Sequence, residues 1–271
     1  MSLDYAGLEA LARRRCGEFA AAAPFPHVVI DDFLPADVLE AVCAEFDETA
    51  AGWSHYHHYN ERKQALTRAG GMGPRTQALL AELLSLDFVH VLETLTGLTG
   101  LIADPDLDGG GLHRVRAGGF LNVHTDFLAH TTQRTWSRQV NLLIYFNKGW
   151  RPEWEGALQL WDVAMQRCVR SIEPVLNRCV IFRTTDSSYH GHPHKLACPE
   201  DVERRSLALY YFRDEGRPLP LTPTHYRGTP EDSRLRRGLI ATDGVLLRAF
   251  SFLKRYTGLS DGLASRILKR F

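Results

Sequence analysis

In the stretch FLNVHTDF, residues 120–127, a histidine and an aspartate stand two apart, His124 and Asp126. On an extended strand such positions share a face, so an imidazole and a carboxylate converge on one point. Further on, SSYHGHPHKL carries three imidazoles at alternate positions, His190, His192 and His194. Two histidines and one carboxylate on one side of a divalent metal leave its other positions open, which suits ferrous oxygen chemistry. One histidine of the second stretch would complete that set, and the spacing alone does not say which. The HxD tripeptide is a weak signal by itself: with twelve histidines in the chain, about one match is expected by chance.

The elements around these residues give the signal its weight. From residue 110 the chain reads as short β-branched or aromatic runs separated by Gly, Pro, Asn and Asp: GLHRVRAG, GFLNVHTD, QVNLLIYFN, GALQLWD, CVRSIE, RCVIFR and SLALYYFR. Such a series describes a sandwich or jelly roll. Before it, YAGLEALARRRCGEFAAAA and PADVLEAVCAEFDE read as helices flanking a short strand, HVVIDDFL, and TQALLAELLSLDFVHVLETLTG as one long helix ending at a glycine. Helices first and strands afterwards make the class α+β. The expected organisation is a single domain over 1–271: helical support and a possible lid over 1–100, the core over 110–214, and a helical extension over 215–271. In that extension Leu246, Phe250 and Leu253 form one apolar stripe, and Leu263, Ile267 and Phe271 another. From Tyr226 onward ten Lys/Arg stand against four Asp/Glu. A basic amphipathic tail suits contact with a membrane surface, a nucleic acid or another chain, and equally a helix packed on the sheet with its basic face in water.

Composition excludes some functions. Thirty-two basic and thirty-two acidic side chains cancel, so no net charge advertises a nucleic-acid partner. Hydrophobic residues at 44% are ample for a core. Five scattered cysteines without CxxC spacing read as reduced thiols. Asp4 and Glu9 stand where a signal peptide would be apolar, and no uncharged apolar run approaches the roughly 18 residues of a membrane span. The expectation is a soluble, cytoplasmic protein.

Within about residues 112–213 five blocks stand in order, AGGFLNVHTD, VNLLIYFNKGW, EGALQLWD, NRCVIFRTTDSSYHGH and ERRSLALYYF. In this order they resemble the Fe(II)/2-oxoglutarate-dependent oxygenases, in the prolyl 4-hydroxylase-like branch. The resemblance implies a double-stranded β-helix, and Fe(II), 2-oxoglutarate and O2 as cofactors with ascorbate in support. It implies His124, Asp126 and His190 as metal ligands, the histidine before the glycine being the third. For the distal carboxylate of 2-oxoglutarate it implies Arg204, a bidentate and permanently charged partner. Ser206 shares the face of Arg204, Tyr145 aligns with a tyrosine that contacts the same carboxylate in part of the family, and Arg205 should point outward. His192 and His194 are expected at the mouth or in solvent. With aspartate at 126, hydroxylation is implied rather than the halogenation of relatives that replace this carboxylate. Two positions depart from the family: Val115, between Arg114 and Arg116, where some members carry a tyrosine, and Glu155 before Gly156, where the family has paired glycines.

The substrate is less legible. GWSHYHHYNERKQ, residues 52–64, is too polar for a core and dense in rings, so His55, Tyr56, His58 and Tyr59 are expected in a lid or substrate wall. DFLAHTTQRTWSRQ is a second candidate lid, and Arg138 is expected to face the substrate, a peptide, an amino acid or a small metabolite. Two other classes compete. One is a non-catalytic jelly roll that keeps its metal; the other is a cupin-like metalloenzyme without 2-oxoglutarate, which would use His192 or His194 as ligands.

Overall fold

The computed structural model describes residues 3–49, 51–220 and 224–242. The chain opens with α1 (Tyr5–Ala21), whose first turn is capped by Asp4 accepting from the Gly7 amide. Strand β1 (His27–Ile30) and helix α2 (Ala36–Glu48) follow. Next come β2 (Ser54–His58) and β3 (Glu61–Leu66), a hairpin turning at Tyr59 and Asn60. The long helix expected from TQALLAELLSLDFVHVLETLTG is in fact two, α3 (Pro74–Leu83) and α4 (Leu86–Thr96). The break falls at Ser85, whose hydroxyl caps α4 by accepting from the Phe88 amide, and Gly97 ends α4 at φ 70°. Helix α3 takes its cap from another element: the Glu45 carboxylate on α2 accepts from the amides of Arg75 and Thr76, both at 2.7 Å.

The remaining strands are β4 (Ile102–Ala103), β5 (Gly111–Arg116), β6 (Phe120–Thr125), β7 (Trp136–Tyr145), β8 (Leu158–Trp161), β9 (Cys168–Ile172), β10 (Cys179–Arg183), β11 (His190–His192), β12 (Glu203–Asp214) and β13 (His225–Tyr226). They pair antiparallel in the order β1-β10-β7-β12-β5-β3-β6-β11-β8-β9. The order separates into a face β10-β7-β12-β5 and a face β6-β11-β8-β9, the two halves of a double-stranded β-helix. The expected α+β jelly roll is therefore observed, with all seven expected core strands present.

Two-residue alternation sorts each strand. On β12, Leu207, Leu209 and Tyr211 face outward into a core with α1, α3 and α4, while Arg204, Ser206, Ala208 and Tyr210 line a cavity inside the roll. On β7, Val140, Leu142 and Ile144 likewise join the outer core, and Asn141 and Leu143 line the cavity. The helices bury one face of the roll, and this fixes which side chains point to the other.

The 52–64 stretch, expected as a loop over the mouth, is built into the sheet. Strand β3 pairs with β5 through Gln64–Leu66 and with β6 through Glu61 and Arg62, stitching the two faces together. Its polar sequence lacks the β-branched residues that announce a strand, which is why it reads as loop. Residues 234–242 are helical. The two apolar stripes expected at Leu246–Leu253 and Leu263–Phe271 lie outside the described residues, as does most of the basic tail. Among the described residues no helix is long and apolar enough to cross a membrane, and all five cysteines are free.

Candidate metal centre

Strand β11 lies antiparallel beside β6 with His190 directly opposite His124, so the two rings stand across one ladder rung with centroids 4.6 Å apart. The register slips between His190 and His192, where three steps of β6 answer two of β11, so His124 and Leu121 both face the cavity. Gly191 permits this contact: a Cβ there would fall 2.8 Å from the Leu121 carbonyl oxygen and 2.9 Å from that of Asn122.

The tautomers of both histidines are set by their neighbours. His124 Nδ1 lies 2.9 Å from the Asn122 carbonyl, and His190 Nδ1 lies 2.9 Å from the Ser188 carbonyl. A carbonyl only accepts, so each Nδ1 carries a hydrogen, and in the neutral ring Nε2 presents its lone pair. Asp126, just past β6, lies 3.5 Å from His124 Nε2 through Oδ1 and 3.5 Å from His190 Nε2 through Oδ2. Among the described residues this trio, His124, Asp126 and His190, is the one group whose donor atoms all lie within 4.8 Å of one another.

The protonation states suit a cation. Burial opposes the Asp126 charge, but Arg138, His190 and His124 outweigh it and hold the carboxyl well below the usual carboxylate range. Burial lowers the His190 imidazole to about 4 against the pull of Asp126, leaving it neutral near pH 7. Two imidazole nitrogens and one carboxylate are the donor set a divalent first-row metal takes, and the fit to Fe(II) is good. Asn141 holds the carboxylate in place, donating from Nδ2 to Asp126 Oδ2 at 2.6 Å while its own Oδ1 accepts from Thr184 Oγ1 at 3.0 Å.

Arg204 lies in the same cavity. Its Nε donates to the Gly156 carbonyl at 2.7 Å, and Nη2 lies 3.4 Å from the Tyr145 hydroxyl. Ser206 lines the cavity on the same face; Tyr145 is fully buried and touches it through Arg204. Arg205 points the other way, to Asp47. At the departure from the family's paired glycines, Glu155 sits at φ 61° and ψ −160°, a region glycine enters freely and other residues do not. Val115 lines the cavity, while Arg114 lies over the Trp53 ring at 4.1 Å on the outside.

His192, expected at the mouth or in solvent, is buried and lines the cavity, because it shares the inner face with His190. His194 is half exposed, 3.6 Å from Glu155 and 3.8 Å from Glu231. Neither belongs to the metal-competent trio, so the ligand set expected of a cupin-like site is not formed among the described residues. Arg138 is fully buried against Asp126 at 3.3 Å, clamped between the rings of Phe127 at 3.8 Å and Tyr210 at 3.6 Å. None of its three nitrogens has a hydrogen bond of ordinary geometry. Of the hairpin residues, His55 and Tyr59 are exposed. Tyr56 lies under the Lys63 ammonium at 5.6 Å, and His58 Nε2 lies 2.8 Å from Glu61 Oε1.

Four cavity residues carry no sequence signal of their own: Asn141, Lys63, His113 and Tyr210. Lys63 pairs with Glu61 at 2.9 Å. Burial works against its charge, but Glu61 raises its ammonium above the ordinary value. In the sequence this is one more charge in a polar stretch. Tyr226 also closes on the site from β13, its ring 5.5 Å from that of His124.

Residues 110–212 match the family model described as the 2OG-Fe(II) oxygenase superfamily. A search of the curated proteins found no match. Among solved structures the chain is similar to a Pseudomonas putida prolyl-4-hydroxylase, at 21% identity and TM-score 0.56, over 74% of this chain and 98% of that one. It is similar to a Trichoplax adhaerens prolyl hydroxylase in complex with a hypoxia inducible factor peptide fragment, at 17% identity and TM-score 0.57, over 78% and 92%. A third is HygX from Streptomyces hygroscopicus with nickel, 2-oxoglutarate and hygromycin B bound, at 13% identity and TM-score 0.51, over 74% and 87%. The span that carries His124, Asp126, His190 and Arg204 thus matches the 2OG-Fe(II) oxygenase superfamily in sequence, and the chain shares the fold of solved prolyl hydroxylases.

Proposed function

We propose that this protein is an Fe(II)- and 2-oxoglutarate-dependent dioxygenase that hydroxylates an aliphatic C–H of a peptidyl, amino-acid or small-metabolite substrate. The observation that carries the reading is a single cavity with His124, Asp126 and His190 in one part of its lining and a buried arginine, Arg204, in another. Held by the three donors, Fe(II) would supply activation of O2, coupling decarboxylation of 2-oxoglutarate to succinate and CO2 with hydroxylation of the substrate. The chain's part is binding and orientation. Arg204 and Ser206 receive the distal carboxylate of 2-oxoglutarate, and Tyr145 braces the guanidinium from behind. Asn141 and Arg138 keep the Asp126 carboxylate ionised and aimed at the two Nε2 atoms. Leu143, Leu158 and Phe182 keep water from the buried end.

Arg138, clamped beside Asp126, and Tyr56 and His58 on the hairpin form the substrate wall. His55 and Tyr59, at the exposed rim, would meet the parts of a larger substrate outside the cavity. The ligands of two similar structures, a peptide fragment and hygromycin B, span the classes considered.

The test is succinate release by the purified chain with Fe(II), ascorbate and 2-oxoglutarate. His124→Ala and Asp126→Ala should each abolish it. Arg204→Ala should mainly raise the 2-oxoglutarate concentration needed, because it removes a binding charge and leaves the metal ligands intact. No succinate from the native chain, even slowly, would sink the proposal and favour a non-catalytic metal-binding jelly roll.

A further inference from the structure

Strand β11 presents two imidazoles to the cavity, and the metal centre accounts for one. His192 is buried, lines the cavity with Arg204 and Ser206, and its Nδ1 has no hydrogen-bond partner. A buried ring nitrogen without a partner is rare in a folded protein and marks a site where a ligand completes the bonding. By contrast, His190 Nδ1 is bonded to a backbone carbonyl and His58 Nε2 lies against Glu61.

The position of His192 identifies what completes it. Two residues along a strand is a step of about 7 Å. His190 opens β11 at the metal trio, opposite His124, and His192 closes it opposite Leu121, further from Asp126. That step is comparable to the length of a five-carbon diacid. Arg204 cannot satisfy a carboxylate alone: its Nε is committed to the Gly156 carbonyl and its Nη2 leans on Tyr145. A carboxylate has about four acceptor sites, and a fully buried one needs more than the free edge of one guanidinium and a serine hydroxyl; the other cation of the lining, Lys63, is paired with Glu61 at 2.9 Å.

We infer that His192 is a co-substrate-binding residue: its Nδ1–H donates to the distal carboxylate of 2-oxoglutarate, alongside Arg204 and Ser206. The inference rests on the oxygenase reading and assigns a new contact within it. A hydrogen bond to a charged group at a buried site changes affinity by about 10- to 100-fold.

The experiment is calorimetric titration of 2-oxoglutarate into the full-length chain loaded with Zn(II), which binds the same donors without turnover. His192→Leu fills the space without a donor. His192→Asn keeps an N–H near the place of Nδ1. The Leu variant should weaken 2-oxoglutarate binding by about 10- to 100-fold, the Asn variant should recover most of it, and both should bind Zn(II) as the native chain does. A Leu variant within twofold of native overturns the inference. So does an Asn variant as weak as the Leu variant, which would make His192 a packing residue, and so does an equal loss of Zn(II) affinity in the Leu variant. If the native chain itself binds no 2-oxoglutarate, the oxygenase reading fails, a result distinct from failure of His192 alone.

Discussion

Asp126 is the residue on which most of the site converges. Its two oxygens face two histidine nitrogens, while Asn141 and Arg138 approach from behind. Of those two supports Asn141 is the more directional, because its amide is itself oriented by Thr184. An Asn141→Leu variant keeps the volume and removes the hydrogen bond, so the carboxylate gains freedom to rotate away from the Nε2 atoms. Loss of such an outer support typically weakens metal binding by about 10- to 100-fold. Competition against a chromophoric chelator would read that change, with His124→Ala as the reference for complete loss. An affinity equal to native would mean that Arg138 alone holds the carboxylate.

At the scale of the element, three devices aim the side chains. The seven core strands were legible because each alternates apolar residues between turn signals, and His124, Asp126, His190, Arg204 and Ser206 could be assigned to the inner face by parity and motif. What parity could not show is where it breaks. Strand β7 carries one extra residue, Gln139, between the partners Val140↔Tyr211 and Arg138↔Phe212. This bulge turns Arg138 toward Asp126, although simple alternation from Asn141 would send it outward. The β2–β3 hairpin was illegible for another reason: SHYHH and ERKQ are polar, and their strand character comes from partners β5 and β6, which no local window contains. Nothing in HGHPH tells a cavity wall from a mouth or a solvated turn at His192; only the pairing of β11 with β6 does. Strand β11 itself is three residues long and depends on close backbone approach at Gly191. Gly191→Ala should therefore act beyond its size. Its Cβ meets main-chain atoms that cannot step aside, so the expected cost is about 1–3 kcal/mol of stability, with weaker metal binding as His190 moves off the trio. Urea denaturation and chelator competition on the same variant would show both; a change in neither would mean that β6 yields.

For the whole molecule, the cavity imposes an acid limit. His113 on the inner face of β5 is the clearest case: burial, with the Lys63 charge next, lowers its imidazole to about 3. A solvated histidine titrates near 6.5. Between those values the unfolded chain binds a proton that the folded chain refuses, so unfolding takes up protons and stability falls as the pH falls. The contribution is fully present above about 6.5 and is lost progressively toward 3, at up to about 1.4 kcal/mol per pH unit from this one group. His190, lowered to about 4, acts in the same direction in the metal-free chain. Asp126, held well below the carboxylate range, adds a loss of the same sign only below its ordinary pKa near 3.9. The urea midpoint of the metal-free protein should accordingly decline from pH 7.5 to pH 5, before any carboxylate is involved. His113→Gln, which keeps a polar group and cannot titrate, should flatten part of that decline. A midpoint level across the range would show that these imidazoles take up protons in the folded state, and the neutral lining that leaves the Nε2 atoms free for a metal would then be wrong.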